Sequence, residues 1–278
     1  MKTAISYNPT KLIYKPIFTK EQLDYLEALN NCSNVKHLFI KRNIEAFAID
    51  FAHTSAMLEG NTYSAIETEI LLTTGKTVPK KFEEALMLKN MHKAFDYLLL
   101  EASCDNEIPF EYLVKNLHTQ VSQRLLDEND CGVVRTVPVL ISATNYIPST
   151  ISQQLQAGLQ FIAKEYAKIT NAFEKAVYMH QNLCYLQYFL DHNKRTARNM
   201  TAFTLIKSGK MPVMFTEKNA NEYVNSVLAY YESENSNYQP FATYFIGAYE
   251  KVCSRMNINA IAQATDMLKK NKTLNANS

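Results

Sequence analysis

The stretch from Tyr185 to Met200, YLQYFLDHNKRTARNM, places two helical patterns on either side of a short polar link. The first pattern is apolar and ends at Leu190. The second extends from about Arg195 to Lys207, and Gly209 is a plausible C-terminal stop. The sequence therefore predicts a helix–loop–helix unit around which the rest of the chain is organised.

The first turn of the second helix carries an unusual charge. Lys194, Arg195 and Arg198 put three cations where the helix dipole already disfavours positive charge. Asp191 and Asn193 are residue types that cap a helix start. Free backbone N–H groups, the dipole and the cations together favour a site for phosphate or another anion. A solvated basic turn that pairs with carboxylates elsewhere is the alternative interpretation of the spacing.

Composition limits the classes of function. The 278 residues are enough for one large domain or two small ones, and the net charge of +2 gives no argument for a nucleic-acid or membrane partner. No apolar run approaches the ~18 residues of a membrane span. The N-terminus lacks the features of a signal peptide, and five scattered cysteines form no C-x-x-C pair. These features predict a cytoplasmic protein.

The chain reads as helix-rich, with only six glycines and eight prolines. A capping box is expected at Thr19 and Gln22. Helices are predicted over 35–58, 64–73, 80–101, 151–168, 172–190, 195–207, 217–232 and 240–254, and Lys270 ends a possible last one. The β-branched stretch from Val133 to Ile147 predicts a β-hairpin.

The polar link resembles the signature of the Fic (Fido) family, H-x-F-x-(D/E)-G-N-(G/K)-R-x-x-R. Gln187 stands where the family has its catalytic histidine, and His192 stands where it has glycine. The positions that fit the signature are Phe189, Asp191, Asn193, Lys194, Arg195 and Arg198. The resemblance implies an all-α fold, a Fic-type helical bundle with a small β-hairpin flap at 133–147.

The same resemblance implies a division of the chain. Residues 1–40 are an N-terminal extension, 41–250 a Fic-like core, and 251–278 a C-terminal helix and tail. In the family, the flap docks the target protein as an added strand. Some members carry an added helix-turn-helix, but the ~25 residues after this core are too few for one, so no nucleic-acid partner is expected.

A second motif precedes the core. Ser55, Glu59 and Gly60 fit the family's inhibitory motif, (S/T)-x-x-x-E-(G/N). In members that carry it, the glutamate pairs with the second arginine of the signature, here Arg198, and displaces the γ-phosphate of ATP. A carboxylate against a guanidinium occupies the position that the phosphate needs. Without the family context, a glutamate before a glycine is a common helix end.

The resemblance assigns chemistry to the loop. Asp191 would bind Mg²⁺, and Asn193, Lys194, Arg195 and Arg198 would hold the phosphates of ATP while AMP is transferred to a protein hydroxyl. Gln187 cannot act as the base, because an amide does not accept a proton near pH 7, and loss of a general base costs ~10²–10⁴-fold in rate.

Three interpretations remain open, and Lys194 adds a fourth. The first is a protein adenylyltransferase of weak or absent activity, with unknown target protein and a possible homo-oligomer. The second is a pseudoenzyme that binds a nucleotide or a protein without chemistry. Lys194 also matches the death-on-curing branch, whose members are kinases. The third, an unrelated helical protein, is disfavoured because loop, flap and inhibitory motif occur in the expected order.

Overall fold

The computed structural model describes residues 3–105, 108–216 and 220–276, without the side chains of 272–276. Twelve α-helices dominate these residues, which confirms the all-α prediction. They are α1 (Lys20–Cys32), α2 (Val35–Leu38), α3 (Lys41–Met57), α4 (Ala65–Thr74), α5 (Phe82–Ser103), α6 (Phe110–Ser122), α7 (Ser152–Lys168), α8 (Ala172–Leu186), α9 (Asn193–Lys207), α10 (Ala220–Glu232), α11 (Gln239–Met256) and α12 (Ala260–Ala276). None of these helices has the length and apolar composition that a membrane crossing requires.

Local signals set several helix ends. The predicted capping box forms at the start of α1, where the Thr19 hydroxyl and the Gln22 side chain bond reciprocally to the backbone. The single helix predicted over 35–58 is instead divided into α2 and α3. The side-chain amide of Asn43 donates to the carbonyl of His37 at 2.7 Å and so satisfies the end of α2. The predicted helix over 217–232 begins in residues outside the described chain, and its described part is α10.

The two helices that flank the polar link form the centre of the bundle. In α8 every residue except Lys175 is buried, and in α9 every residue except Lys194 and Lys207 is buried. Helices α5 and α6 pack on α9, while α7, α10 and α11 pack on α8. The link therefore lies at one end of a rigid central pair.

The core extends into the segments on both sides of the predicted 41–250 unit. Leu12 near the N-terminus and Ala264 in α12 belong to one buried cluster that also includes Phe173 and Met200 of the central helices. Helix α12 packs mainly against α1. Both segments thus contribute apolar surface to the same core.

The predicted hairpin at 133–147 forms differently. Within this stretch only β2 (Tyr146–Ile147) is a strand, and it pairs in parallel with β1 (Ile5–Ser6). Buried Arg135 explains the difference, because its guanidinium donates to the carbonyls of Val137 at 2.8 Å and Ser149 at 2.5 Å. These acceptors are therefore not part of an antiparallel ladder, and Pro138 has no N–H to donate. We keep the name flap for residues 133–147.

An N-terminal arm, residues 5–18, crosses α8 and α10. The Nζ of Lys11 donates to the carbonyls of Tyr230 at 2.5 Å, Tyr231 at 3.1 Å and Ser233 at 2.8 Å. These carbonyls lie at the C-terminal end of α10, where a cation is favoured. The carboxylate of buried Glu174 accepts from the backbone of the arm's last residues. The arm is thus held by charged groups that are fully paired.

Candidate active site

The polar link begins and ends in the left-handed region. Helix α8 ends at Leu186, four residues earlier than predicted, because Gln187 has φ +48° and ψ +51°. The link ends at His192, with φ +57°, and α9 starts at Asn193. His192 makes no side-chain bond to the first turn of α9 in the described structure. The backbone N–H groups of that turn are therefore oriented to meet a ligand.

Asn193 closes the link on itself. Its Oδ1 accepts from the backbone N–H of Phe189 at 3.0 Å, and its Nδ2 donates to the carbonyl of the same residue at 2.9 Å. The Nδ2 also lies 3.3 Å from Oε1 of Gln187. The side chain predicted to hold phosphate is therefore engaged in fixing the shape of the link.

Gln187, at the position of the expected base, is fully hydrogen-bonded. Its Nε2 donates to the carbonyl of Cys184 at 2.7 Å and lies 3.5 Å from the hydroxyl of Tyr231. The backbone carbonyl of Gln187 accepts from Nε of Arg135 at 2.7 Å, and this bond joins the link to the flap. A neutral amide in this position provides no proton acceptor for a hydroxyl.

Arg198 is 1% exposed and its guanidinium is paired on every side. Nε donates to Oγ of Ser55 at 2.7 Å, and Nη2 donates to the Ser55 carbonyl at 3.1 Å and to Oε1 of Glu59 at 2.8 Å. Nη1 lies 3.3 Å from the hydroxyl of Tyr223. The structure thus brings the two residues of the predicted inhibitory motif onto the predicted arginine.

Glu59 lies between two cations. Its Oε2 is 3.9 Å from Nζ of Lys194, on the side opposite the Arg198 contact, and its side chain is 16% exposed. Burial would raise the pKa of this carboxyl, but Arg198 and Lys194 outweigh that effect and hold the pKa below its usual value. The following Gly60 has φ +83° and turns the chain after α3. Glu59 is therefore ionised and fixed at neutral pH.

Arg195 has the opposite environment to Arg198. It is 6% exposed, and its Nε and Nη1 have no hydrogen-bond partner among the described residues. Burial lowers the pKa of its guanidinium, while Glu59 and Asp191 act against that shift from a distance. A buried charge without hydrogen bonds costs several kcal/mol. Such a group indicates a missing anionic partner.

Asp191 is the predicted metal ligand. Its side chain is 66% exposed, and its Oδ1 accepts from the backbone N–H of His192 at 2.6 Å. One carboxylate oxygen is therefore fixed and the other is open to a ligand. An exposed, oriented carboxylate beside cations that attract phosphate oxygens is a donor set that suits Mg²⁺.

Sequence reasoning missed a buried network beneath the link. Nδ1 of His118 accepts from the backbone N–H of Gly132 at 2.8 Å, and its Nε2 lies 3.1 Å from the carbonyl of Asp191. The ring stacks on Phe189, with centroids 3.7 Å apart. Ser122 Oγ continues the network, 3.1 Å from His118 Nε2 and 2.8 Å from His192 Nδ1.

Both imidazoles of this network are uncharged at neutral pH. Burial lowers the pKa of His118 and the pKa of His192 to about 3. No spacing in the sequence relates His118 to a link more than seventy residues later, and only the packing of α6 on α9 brings them together. His180 is also fully buried and lies 3.2 Å from the Tyr223 hydroxyl behind Arg198.

The link, the flap and α10 enclose a cavity of about 600 Å³. Glu59 and the link residues Gln187 and Asp191–Lys194 form its polar side. The flap contributes Val139–Ala143, and α10 contributes apolar side chains including Val227. A cavity of this size, with one charged wall and one apolar wall, matches a small molecule with anionic and apolar parts.

Part of this arrangement is similar to a known family. Residues 109–205 match the Fic/DOC family. The protein adenylyltransferase fic-1 of Caenorhabditis elegans is 26% identical over 227 residues, which cover 80% of this chain and 43% of that protein. The match to the family includes the flap and the link, whereas Ser55, Glu59 and Gly60 lie outside it.

Solved structures show the same fold. Residues 134–508 of C. elegans Fic-1 superpose with a TM-score of 0.71 at 23% identity, covering 87% of this chain and 71% of that one. A Fic domain containing signaling protein from Bacteroides thetaiotaomicron gives a TM-score of 0.70 at 18% identity, covering 87% and 98%. This chain spans less than half the length of the curated relatives it matches.

Proposed function

We propose that this chain, whose residues 109–205 match the Fic/DOC family, binds a nucleoside triphosphate such as ATP in the cavity beside the link. We further propose that it transfers AMP to protein hydroxyls weakly or not at all. The division into 1–40, 41–250 and 251–278 belongs to the same proposal. The relatives' names support a chemistry of adenylyl transfer.

The observation that carries the proposal is the buried guanidinium of Arg195, whose Nε and Nη1 have no hydrogen-bond partner among the described residues. It lies in the first turn of α9, together with Lys194 and one turn from Arg198. Among the described residues, Glu59 and the exposed Asp191 are the carboxylates that offset these three cations, so the site keeps a positive charge that a polyphosphate would neutralise. The phosphate oxygens would supply the acceptors that Arg195 lacks.

Glu59 would act as an internal competitor of that anion. Its carboxylate bonds Arg198 at 2.8 Å and lies 3.9 Å from Lys194, so it occupies the two cations that a terminal phosphate would use. Ser55 holds Arg198 in the same orientation through its hydroxyl and its carbonyl. Nucleotide binding then requires that Glu59 gives up these contacts.

The link supplies positioning and charge rather than a base. Asn193 would hold the backbone of the link in shape, and Arg195 would bind the phosphates. A Mg²⁺ ion at Asp191 would neutralise phosphate charge when it is bound. Gln187 donates a hydrogen bond but takes no proton, so we expect attack by a protein hydroxyl to lack its general base.

The flap would be the docking surface for the target protein. Residues 136–143 are not paired in a sheet within the described chain, and Leu140 is 87% exposed above the cavity. An extended segment with unpaired backbone groups accepts a target strand by main-chain hydrogen bonds. The backbone amides of residues 136, 137 and 139–141 should then exchange slowly with solvent only while a target protein is bound, and unchanged exchange would contradict this docking mode.

The test of nucleotide binding is calorimetric titration with Mg²⁺ and a non-hydrolysable ATP analogue. Removing the competitor charge in Glu59→Gln should strengthen binding at least about tenfold, since a hydrogen bond to a charged group contributes about 1.5 kcal/mol or more. Glu45→Gln, an exposed change on the same segment of chain, is the matched control. If neither the wild type nor Glu59→Gln binds the analogue, the proposal is refuted.

The test of chemistry is intact mass after incubation with ATP. We expect no added mass in Glu59→Gln, because Gln187 is no base. We expect added AMP in the double variant Glu59→Gln with Gln187→His, at a rate about 10²–10⁴-fold above that of Glu59→Gln alone. AMP on Glu59→Gln alone would show that another group serves as the base. Added phosphate in place of AMP would favour the kinase interpretation based on Lys194.

A further inference from the structure

Asp191 and His192 present two neighbouring donor atoms to the cavity. Oδ2 of Asp191 and Nε2 of His192 are 3.7 Å apart, and both residues line the cavity wall. Two atoms at this separation can reach one cation, with each donor about 2 Å from it. The resemblance to the Fic signature did not anticipate the second donor, because the family has glycine in place of His192.

Each donor is oriented by a separate contact. Oδ1 of Asp191 is fixed by the backbone N–H of His192 at 2.6 Å, which leaves Oδ2 as the outward oxygen. Nδ1 of His192 lies 2.8 Å from Oγ of buried Ser122. When Nδ1 donates its proton to Oγ, Nε2 keeps a lone pair, as in the imidazoles that ligate metals in proteins.

The neighbouring His118 is consistent with this tautomer. Its Nδ1 accepts from the N–H of Gly132 at 2.8 Å, so its own proton is on Nε2, beside the carbonyl of Asp191. Ser122 Oγ then accepts a hydrogen bond from an N–H group of each imidazole.

The backbone at His192 indicates that the side chain is held against a local cost. With φ +57°, this position favours glycine, and a histidine there is retained at some strain. The buried Ser122 contact orients the ring toward α6 while Nε2 remains at the cavity wall. The histidine thus adds a nitrogen donor without filling the cavity.

We propose that Asp191 Oδ2 and His192 Nε2 together bind the divalent cation that accompanies the nucleotide, and that this pair favours Co²⁺ over Mg²⁺. The inference rests on the proposed nucleotide binding. No three His, Cys, Asp or Glu side chains gather as a metal site in the described chain, so phosphate oxygens and water complete the coordination. An imidazole nitrogen suits late first-row metals, whereas Mg²⁺ prefers oxygen ligands.

The experiment is a titration of the non-hydrolysable ATP analogue in excess Mg²⁺ and in excess Co²⁺, read as the ratio of the two dissociation constants. We expect that ratio to favour Co²⁺ at least about tenfold more in the wild type than in His192→Gly, and Ser122→Ala to lose part of that preference. Glycine suits the left-handed backbone at this position, so the variant should fold. His37→Gln, an exposed change far from the cavity, is the control.

A second reading of the same samples does not depend on affinity. The visible absorption of bound Co²⁺ changes with a nitrogen ligand, so the wild-type spectrum should differ from that of His192→Gly. Equal ratios and identical spectra in the two proteins, with nucleotide bound in both, would overturn the metal pair and leave the proposed function intact. No nucleotide binding with either metal would overturn the proposed function and this inference with it.

Discussion

Two of the buried cations contrast with each other, one in the N-terminal arm and one in the first turn of α9. Lys11 in the arm is 3% exposed and donates to three carbonyls at the end of α10. Arg195 in α9 is 6% exposed, and two of its nitrogens have no partner in the described residues. The two side chains are buried to a similar degree, but Lys11 has hydrogen-bond acceptors within the chain and two nitrogens of Arg195 have none among the described residues.

The difference separates a structural charge from a binding charge. Lys11 has its full complement of acceptors within the chain, so its interactions stabilise the fold and leave nothing for a ligand. Arg195 lacks acceptors, so part of the interaction it can make is available only when an anion arrives. Burial alone would not have distinguished the two residues, whereas the hydrogen-bond inventory does.

The largest effect should follow from removing the structural cation. Lys11→Met keeps the apolar stem but removes the ammonium that three carbonyls at the end of α10 share, and we expect the free energy of unfolding to fall by about 3 kcal/mol. Urea denaturation measures the change. Lys15→Met, at an exposed position of the same arm, is the control. If both variants lose equal stability, Lys11 is not the anchor described above.

The same substitution at Arg195, in the first turn of α9, should change ligand affinity rather than stability. Arg195→Met removes a buried charge that lacks partners, so stability should be unchanged or greater, while affinity for the ATP analogue should fall at least about tenfold, or about 1.5 kcal/mol. Calorimetry and urea denaturation on one preparation give both values. Loss of stability with unchanged affinity would reverse the comparison between the two cations.

Each buried histidine should have a smaller effect, which makes the stability depend on pH. Burial lowers the pKa of His118, His180 and His192 to about 3 from an ordinary 6.5, so between these values the unfolded chain binds more protons than the folded one. The free energy of unfolding should therefore fall as pH falls below 6.5, by up to about 1.4 kcal/mol per pH unit for each histidine.

Denaturation in urea at pH 7 and pH 5.5 measures this dependence. His180→Phe should reduce the slope by the share of one histidine, because the ring already stacks on Phe241 with centroids 4.4 Å apart and an aromatic ring fits there. His37→Gln, at an exposed position, should leave the slope unchanged. An identical slope in wild type and His180→Phe would show that this imidazole gains its proton within the fold.

Local sequence was a good guide to the elements and to the ion pair between Glu59 and Arg198. The capping box at Thr19 and the helix predicted over 64–73 follow from side chains within a few residues of each end. The contact between Glu59 and Arg198 was anticipated because each belongs to a motif of its own. Short-range interactions and recognisable motifs therefore allow helix ends and contacts between motifs to be predicted.

Long-range polar contacts were beyond the sequence. The hairpin prediction counted β-branched residues and missed Arg135, whose guanidinium binds the carbonyls of Gln187, Val137 and Ser149. The same limit hid the contact of Ser122 with His192. In each case one side chain contacts a residue far along the chain, Gln187 for Arg135 and His192 for Ser122. No periodicity or spacing in the sequence predicts such a contact.

The Lys11 anchor also orders events during synthesis. Its acceptors lie 219 to 222 residues further along the chain, so the arm leaves the ribosome long before they exist. At about 5–20 residues per second, that wait is roughly 10–45 s. The arm, with its apolar side chains, must therefore remain unburied while α8 and α10 are made, and it closes over a bundle that is already assembled. A segment early in the sequence is thereby among the last to find its place.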